Sequence, residues 1–109
     1  MISEQTIKEG KTLAVIGYLT IIGSVIAVFM NKESKNEFAA FHIRQGFGLC
    51  ISYMIVGYLV SQFDNRLASL GFWVFFGILF FYGLLGAFTG KMYLIPFLGS
   101  KFQQWFKNL

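Results

Sequence analysis

The chain has 109 residues, of which 56% are hydrophobic and 13% are charged. The charged share is about half of the ~25% usual in soluble domains, and a domain this small could not hide its 14 phenylalanines from water. This composition excludes a soluble monomer and a disordered chain, and one cysteine excludes a disulfide framework. One histidine and one cysteine are too few for a zinc-type cluster, so we expect no metal and no cofactor. The class of protein that remains is a small integral membrane protein, with residues 1–109 as a single membrane domain.

Three long stretches of the chain lack charged residues: 12–31, 45–63 and 67–90. At ~1.5 Å per helical residue they reach roughly 28–36 Å, which matches the ~30 Å hydrocarbon core of a bilayer. Backbone groups in lipid must be paired within the chain, so each stretch is predicted to be a helix. We therefore predict an all-α fold with three transmembrane helices, at approximately 12–31, 42–63 and 67–90. The first stretch is too long for the ~7–15-residue apolar region of a signal peptide.

The residues after Gly90 form a different element, because Lys91 ends the third stretch and Pro96 interrupts any continuing helix. Within 100–109, four apolar side chains recur at helical spacing: Phe102, Trp105, Phe106 and Leu109. A helix of this length does not cross a bilayer, so we predict an amphipathic interfacial helix anchored by these four side chains at the headgroups. The alternative is that they pack against the protein's own spans.

The distribution of basic residues predicts the orientation in the membrane. With three spans, the 31–44 loop and the tail share one side and carry six basic residues, against three on the other side. This bias predicts a multi-pass protein whose N-terminus lies outside and whose C-terminus is cytoplasmic.

The densest polar group at a predicted membrane boundary opens the second span, with Phe41, His42, Arg44 and Gln45. His42 and Gln45 are i, i+3 neighbours on one helical face. One interpretation is anchoring, in which Arg44 reaches a lipid phosphate. The other is recognition of a partner, because ionisable groups at membrane depth usually have a function. No acid lies within a predicted span and no nucleophile is paired with a base, so we expect that the protein is not an enzyme.

Small residues recur four positions apart in each predicted span, a spacing that lets helix backbones approach closely. The pairs are Gly23 and Ala27, Gly48 and Ser52, Gly83 and Ala87, and Gly86 and Gly90. They serve either packing within one subunit or association with another protein. Besides the lipid bilayer we expect a membrane-protein partner or self-association, and no nucleic acid.

Two short elements, in this order, resemble a known family. A Phe-His-x-x-Gln element and a Gly-Lys-x-Tyr-x-x-Pro element are matched by Phe41, His42, Gln45, Gly90, Lys91, Tyr93 and Pro96. The chain is thereby similar to the family that groups the twenty-kilodalton import component of the chloroplast inner-envelope translocon with small bacterial membrane proteins. The resemblance implies a helical protein of the bacterial inner membrane, linked in plastids to preprotein passage. It also implies that Phe41, His42, Arg44, Gln45, Lys91, Tyr93 and Pro96 are candidates for partner binding.

We therefore predict a non-enzymatic accessory or structural subunit of an inner-membrane protein-transport or envelope assembly. The alternative is a small oligomeric channel or holin-like pore. Three spans with few polar side chains are too few to enclose a water-filled path alone, so a channel would need several copies or a larger partner.

Overall fold

The computed structural model describes residues 3–109, and these residues form five helices. The helices are α1 (Glu4–Ile16), α2 (Ile21–Ser34), α3 (Glu37–Ser61), α4 (Arg66–Thr89) and α5 (Gly99–Trp105). The predicted all-helical fold is confirmed. Side chains just outside the first four helices cap their N-termini by accepting a hydrogen bond from a backbone N–H of the first turn: Ser3, Thr20, Asn36 and Asn65.

The prediction of a single helix over 12–31 is wrong. The helix ends at Ile16, the chain turns, and a second helix begins at Ile21 after Thr20, whose extended backbone and side chain cap it (Gly23 N–H to Oγ1, 3.0 Å). At 13 and 14 residues, α1 and α2 are each too short to cross a bilayer. The charge-free run conceals this break, because Gly17 and Thr20 interrupt a helix without carrying charge.

Among residues 3–109, two helices are long and apolar enough to span a membrane, α3 and α4. They have 25 and 24 residues, or roughly 36–38 Å at ~1.5 Å per residue. The predicted second and third spans therefore correspond to real helices, although α3 begins at Glu37, five residues before the predicted start. A short turn at 62–65 joins the two helices as antiparallel neighbours.

α1 and α2 form a hairpin that reaches only partway along α3. α1 runs in the same direction as α3, since Gly10 lies against Asn36 and Gly17 lies against Gly46. α2 then returns, because the Asn31 side chain near its end donates to the Asn36 carbonyl (3.2 Å) and accepts from its N–H (3.0 Å). The bend of the hairpin lies beside the middle of α3.

Burial divides each long helix into two halves. Every buried residue of α3 lies between Phe38 and Cys50, and every buried residue of α4 lies between Phe76 and Ala87. The remaining halves pack on one another through Tyr53 and aromatic residues of α4, with Phe72 and Phe76 rings 5.1 and 5.8 Å from the Tyr53 ring. The molecule, 48 × 23 × 21 Å, thus has a packed half and a two-helix half.

The apolar side of the C-terminal helix and of the residues after it packs largely on the protein's own chain. Phe102 is 2% exposed and lies against Gly48, and the Phe106 ring lies 5.3 Å from the Phe47 ring. Leu109 is half-buried against the hydrophobic cluster of α1, α2 and α3, which leaves Trp105, at 65%, as the exposed member of the predicted anchor. Gly48 provides a gap on α3 that the Phe102 ring fills, so these contacts match the alternative in which the four side chains pack against the protein's own helices.

The contact between Gly17 and Gly46 predicts a steep cost for one methyl group. In Gly46→Ala the new Cβ would collide with the Gly17 carbonyl, and both groups belong to backbones, so we expect a loss of about 1–3 kcal/mol from overpacking. Gly77→Ala is the matched control, because no other described atom lies within 4 Å of its Cβ position. Thermal unfolding of the detergent-purified variants should show a lower midpoint for Gly46→Ala alone; equal midpoints would contradict the close crossing.

Candidate functional site

The polar residues that open the second span are gathered into one buried hydrogen-bond network. His42 and Gln45 lie one turn apart on α3, and both side chains are 0% exposed. Tyr18, at the bend of the α1–α2 hairpin, is 4% exposed and contacts both. Opposite them runs the irregular backbone of residues 91–95, which follows α4. We call these three side chains, together with the backbone they bind, the latch.

The hydrogen bonds of His42 assign its protonation. Its Nε2 lies 2.8 Å from the carbonyl oxygen of Lys91, which can only accept, so Nε2 carries a proton and donates. Its Nδ1 lies 2.7 Å from the hydroxyl of Tyr18. In a neutral ring with the proton on Nε2, Nδ1 is the acceptor, so the Tyr18 hydroxyl, which accepts from Gln45, donates its proton to Nδ1. The pattern is that of a neutral imidazole with every polar atom paired.

Gln45 uses its whole amide group. Its Nε2 donates to the Tyr18 hydroxyl (2.9 Å) and to the carbonyl of Tyr93 (3.1 Å), and its Oε1 accepts from the N–H of Ile95 (2.9 Å). A glutamine side chain offers two donors and an acceptor in one plane, which matches the alternating groups of an extended backbone. The Gln45 amide therefore pairs with the backbone of residues 93–95 much as the backbone of a neighbouring strand would.

The latch provides hydrogen-bond partners for a stretch of backbone that is not helical. Residues 91–95 are not helical, and their polar groups face the apolar interior of the packed half, where an unpaired group costs about 1–3 kcal/mol. The structure supplies the missing partners from His42 and Gln45. Gly90, in the left-handed conformation (φ 74°), ends α4 and turns the chain back towards α3. The two elements that carry the family resemblance thus bind each other.

The predicted small-residue pairs lie mainly against the protein's own chain. A Cβ at Gly83 would lie 2.6 Å from the Tyr18 ring, one at Gly86 would lie 3.4 Å from the His42 ring, and one at Gly90 would lie 3.1 Å from Ile7. Gly48 accommodates Phe102, Gly23 lies against the Ile16 carbonyl, and Ala27 and Ala87 are fully buried. Ser52 is half-buried beside a groove between α3, α4 and Leu98.

Arg44 binds the end of the chain. Its Nη1 donates to the side chain of Gln103 (3.3 Å) and its Nη2 to the carbonyl of Lys107 (3.1 Å). Gln103 in turn donates to the carbonyl of Phe41 (2.8 Å). Arg44 therefore satisfies a backbone group just beyond α5 and ties the C-terminal segment to α3.

The remaining candidates for partner binding differ in accessibility. Lys91 and Tyr93 are exposed, with Tyr93 43% accessible, whereas Phe41 and Pro96 are half-buried. Phe41 packs edge-on against the His42 ring at 5.1 Å, and Pro96 occupies the turn before α5. Of the predicted partner-binding residues, Lys91 and Tyr93 are the ones whose side chains face outward.

Sequence reasoning missed Tyr18 and a second polar cluster. Tyr18 is a hydrogen-bonding side chain in the middle of the first apolar run, and that position was the available signal. In the second cluster, the Asn36 side chain caps α3 and donates to the Thr6 carbonyl (2.8 Å), while its backbone pairs with Asn31. The signal there was a pair of asparagines flanking a short charged turn.

Chemically, the latch is suited to holding a backbone. Within residues 3–109, no group of three or more His, Cys, Asp or Glu side chains is placed to hold a metal ion. Two buried side-chain atoms of the described residues, Ser24 Oγ and Arg44 Nε, have no hydrogen-bond partner, and neither belongs to the latch.

No protein-family model, curated protein or solved structure matches the chain. The family resemblance therefore depends on the quoted residues alone.

The latch predicts that Gln45→Ala loosens the segment after α4. The change leaves the Ile95 N–H and the Tyr93 carbonyl without their partner, at about 1–3 kcal/mol each. We expect faster amide hydrogen exchange and faster proteolysis in residues 91–99, measured on the detergent-purified protein. Gln62→Ala is the control, since Gln62 is exposed and bonds only nearby groups of its own helix. Equal exchange in both variants would show that the latch does not hold the segment.

Proposed function

We propose that the protein is a two-span protein of the bacterial inner membrane with both ends in the cytoplasm. Two spans place the two ends on one side, which replaces the opposite-sided arrangement expected from three. In the structure, the packed half carries the start of α1, the α2–α3 turn and the tail. The other half ends in the turn between α3 and α4.

The basic residues support this orientation. Eight of the nine lie in α1, around the α2–α3 turn, at Arg44 or in the tail, and Arg66 alone lies at the α3–α4 turn. Short flanks rich in Lys and Arg stay in the cytoplasm. A bias of eight to one is far stronger than the six to three obtained with three spans.

Cysteine labelling tests the topology. In a Cys50→Ser background, Gln5→Cys and Lys107→Cys should react from the cytoplasmic side, and Asp64→Cys, in the exposed α3–α4 turn, from the outer side. A membrane-impermeant maleimide applied to spheroplasts and to inverted vesicles separates the two sides. Reaction of Gln5→Cys and Lys107→Cys from opposite sides would restore an odd number of spans and overturn this arrangement.

The observation that carries the functional proposal is the exposed segment held by the latch. Residues 91–94 are four consecutive exposed positions on an irregular backbone, and side chains of α3 bind the carbonyls of two of them, Lys91 and Tyr93. Met92, Tyr93 and Leu94 are 39–48% exposed, and the Tyr82 ring extends the surface 5.7 Å from the Tyr93 ring. Ordering such a backbone costs conformational entropy, and a pre-ordered surface binds a partner without that cost.

We infer that this surface, Lys91 to Leu94 with Tyr82, docks a larger membrane protein. The chain would then act as a non-enzymatic accessory subunit, and the resemblance to the import-component family supports a protein-transport assembly as its setting. An aromatic and apolar patch is typical of interface cores, which are enriched in Tyr and Met and depleted of Lys, Asp and Glu, and a lysine such as Lys91 suits the polar rim.

Copurification from mild detergent tests the docking surface. The double variant Lys91→Ala/Tyr93→Ala should lose a large heteromeric partner identified by mass spectrometry, while its own abundance and thermal stability are unchanged, because the latch uses the backbone of these residues. Tyr58→Ala is the matched control, a 63% exposed tyrosine in the two-helix half. Retention of every partner by the double variant would refute the surface, and a self-contained ring of copies would instead support the channel alternative.

A further inference from the structure

The number of helices changes along the length of the molecule. The packed half contains α1, α2, half of α3, half of α4 and the tail with α5. The other half contains the remainders of α3 and α4, with Phe97 and Leu98 of the tail at its edge. The hairpin bend lies beside Cys50 and Tyr53, so α1 and α2 stop at about the middle of α3. Any bilayer crossed by α3 and α4 therefore meets a wide protein on one side and a narrow one on the other.

The outer face of α2 indicates that the hairpin lies in lipid rather than in water above it. Ile22 is 70% exposed, Phe29 is 64% exposed and Ile26, between them, is 49% exposed. These side chains form an apolar stripe along one side of the helix, while Lys32 and Lys35 follow at its charged end. This is the pattern of a helix whose apolar side is in hydrocarbon and whose basic end meets the headgroups.

The length of the hairpin matches one leaflet. Helices of 13 and 14 residues rise roughly 20 Å, which is about half of the ~40–45 Å thickness of a bilayer with its headgroups. The bend would therefore lie near the midplane, as the position of Cys50 halfway along α3 also requires. At the tip the N–H groups of Tyr18 and Leu19 bond to carbonyls of the last turn of α1, and Thr20 caps α2, so these backbone groups are paired within the chain.

The difference in cross-section is substantial. A helix about 10 Å wide covers roughly 80 Å², so α1 and α2 alone add about 160 Å² to one leaflet and nothing to the other. The tail adds to the same leaflet, since Phe102 and Phe106 pack on the N-terminal half of α3. A wedge of this shape disturbs lipid packing least where its wide side faces the expanded leaflet of a curved membrane.

We propose that the protein prefers, and stabilises, bilayers that are convex on the side of its two ends. The proposal rests on the two-span arrangement given above but not on any protein partner. Its ligand is the lipid bilayer itself, recognised through shape by the α1–α2 hairpin and the tail rather than by a headgroup.

The test uses purified protein in giant vesicles of phosphatidylcholine and phosphatidylglycerol, from which a thin tether is pulled outward. In a Cys50→Ser background, an impermeant dye added outside marks molecules by orientation. Lys107→Cys is labelled where the wide half faces out, and Asp64→Cys where the narrow half faces out. The outer leaflet of the tether is expanded, so the two labels probe opposite signs of curvature in the same protein.

The expected result is enrichment of the Lys107 label in the tether, relative to a lipid dye, and depletion of the Asp64 label. Equal ratios for both labels, or the reverse order, would overturn the proposal. Because no partner is present, loss of the docking surface cannot imitate this outcome. Dye reaction of Gln5→Cys and Lys107→Cys on opposite faces of the vesicle would instead overturn the two-span arrangement and, with it, the wedge.

Discussion

The fold depends on the pairing of a non-helical backbone inside an apolar interior. Residues 91–95 leave α4 without any helix or strand to satisfy them, and His42 and Gln45 provide one donor or acceptor for each of three backbone groups. Tyr18 closes the same network from the α1–α2 hairpin. Four elements, α3, the end of α4, the tail and the hairpin bend, therefore meet at side chains that are buried completely or nearly so. Loss of a buried bond of this network, such as that between Gln45 and the Ile95 N–H, leaves a polar group without a partner in an apolar interior.

A second constraint acts at the charged end of the α1–α2 hairpin. Asn36 ends the α2–α3 turn, caps α3 and reaches Thr6 in α1, and Gly10 leaves just enough room for its side chain. The hairpin is thus fastened at both of its ends, by Asn36 at the charged end and by Tyr18 at the bend. The apolar contacts between them, around Leu13, Ala27 and Ile43, carry no directional information of their own. The hydrogen bonds of Asn36 and Tyr18 therefore define the register at which these apolar surfaces pack.

Sequence patterns predicted the long helices well and their surroundings poorly. Charge-free length located α3 and α4, because crossing or filling such a length requires a helix. The same criterion wrongly joined α1 to α2. Gly17 and Thr20 stop a helix through backbone preference and capping, and a count of charges does not detect either effect. His42 and Gln45 were placed correctly on one face of a helix, but their partners lie 48–50 residues away in the chain. Only the reversal of the chain after Gly90 reveals that the face is turned inward. The amphipathic pattern of α5 was real, and it matched a protein surface as well as it would have matched a lipid surface.

The long sequence separation within the latch also bears on how the chain is made. Synthesis proceeds from the N-terminus, so His42 and Gln45 leave the ribosome well before residues 91–95 exist to pair with them. In that interval Tyr18 is already present to pair with His42 and Gln45, but their backbone partners after α4 and the partners of Arg44 in the tail are still missing. The packed half is therefore incomplete until residues 91–95 and the tail have been made. The C-terminal segment thus completes the hydrogen bonds of a helix that was made long before it.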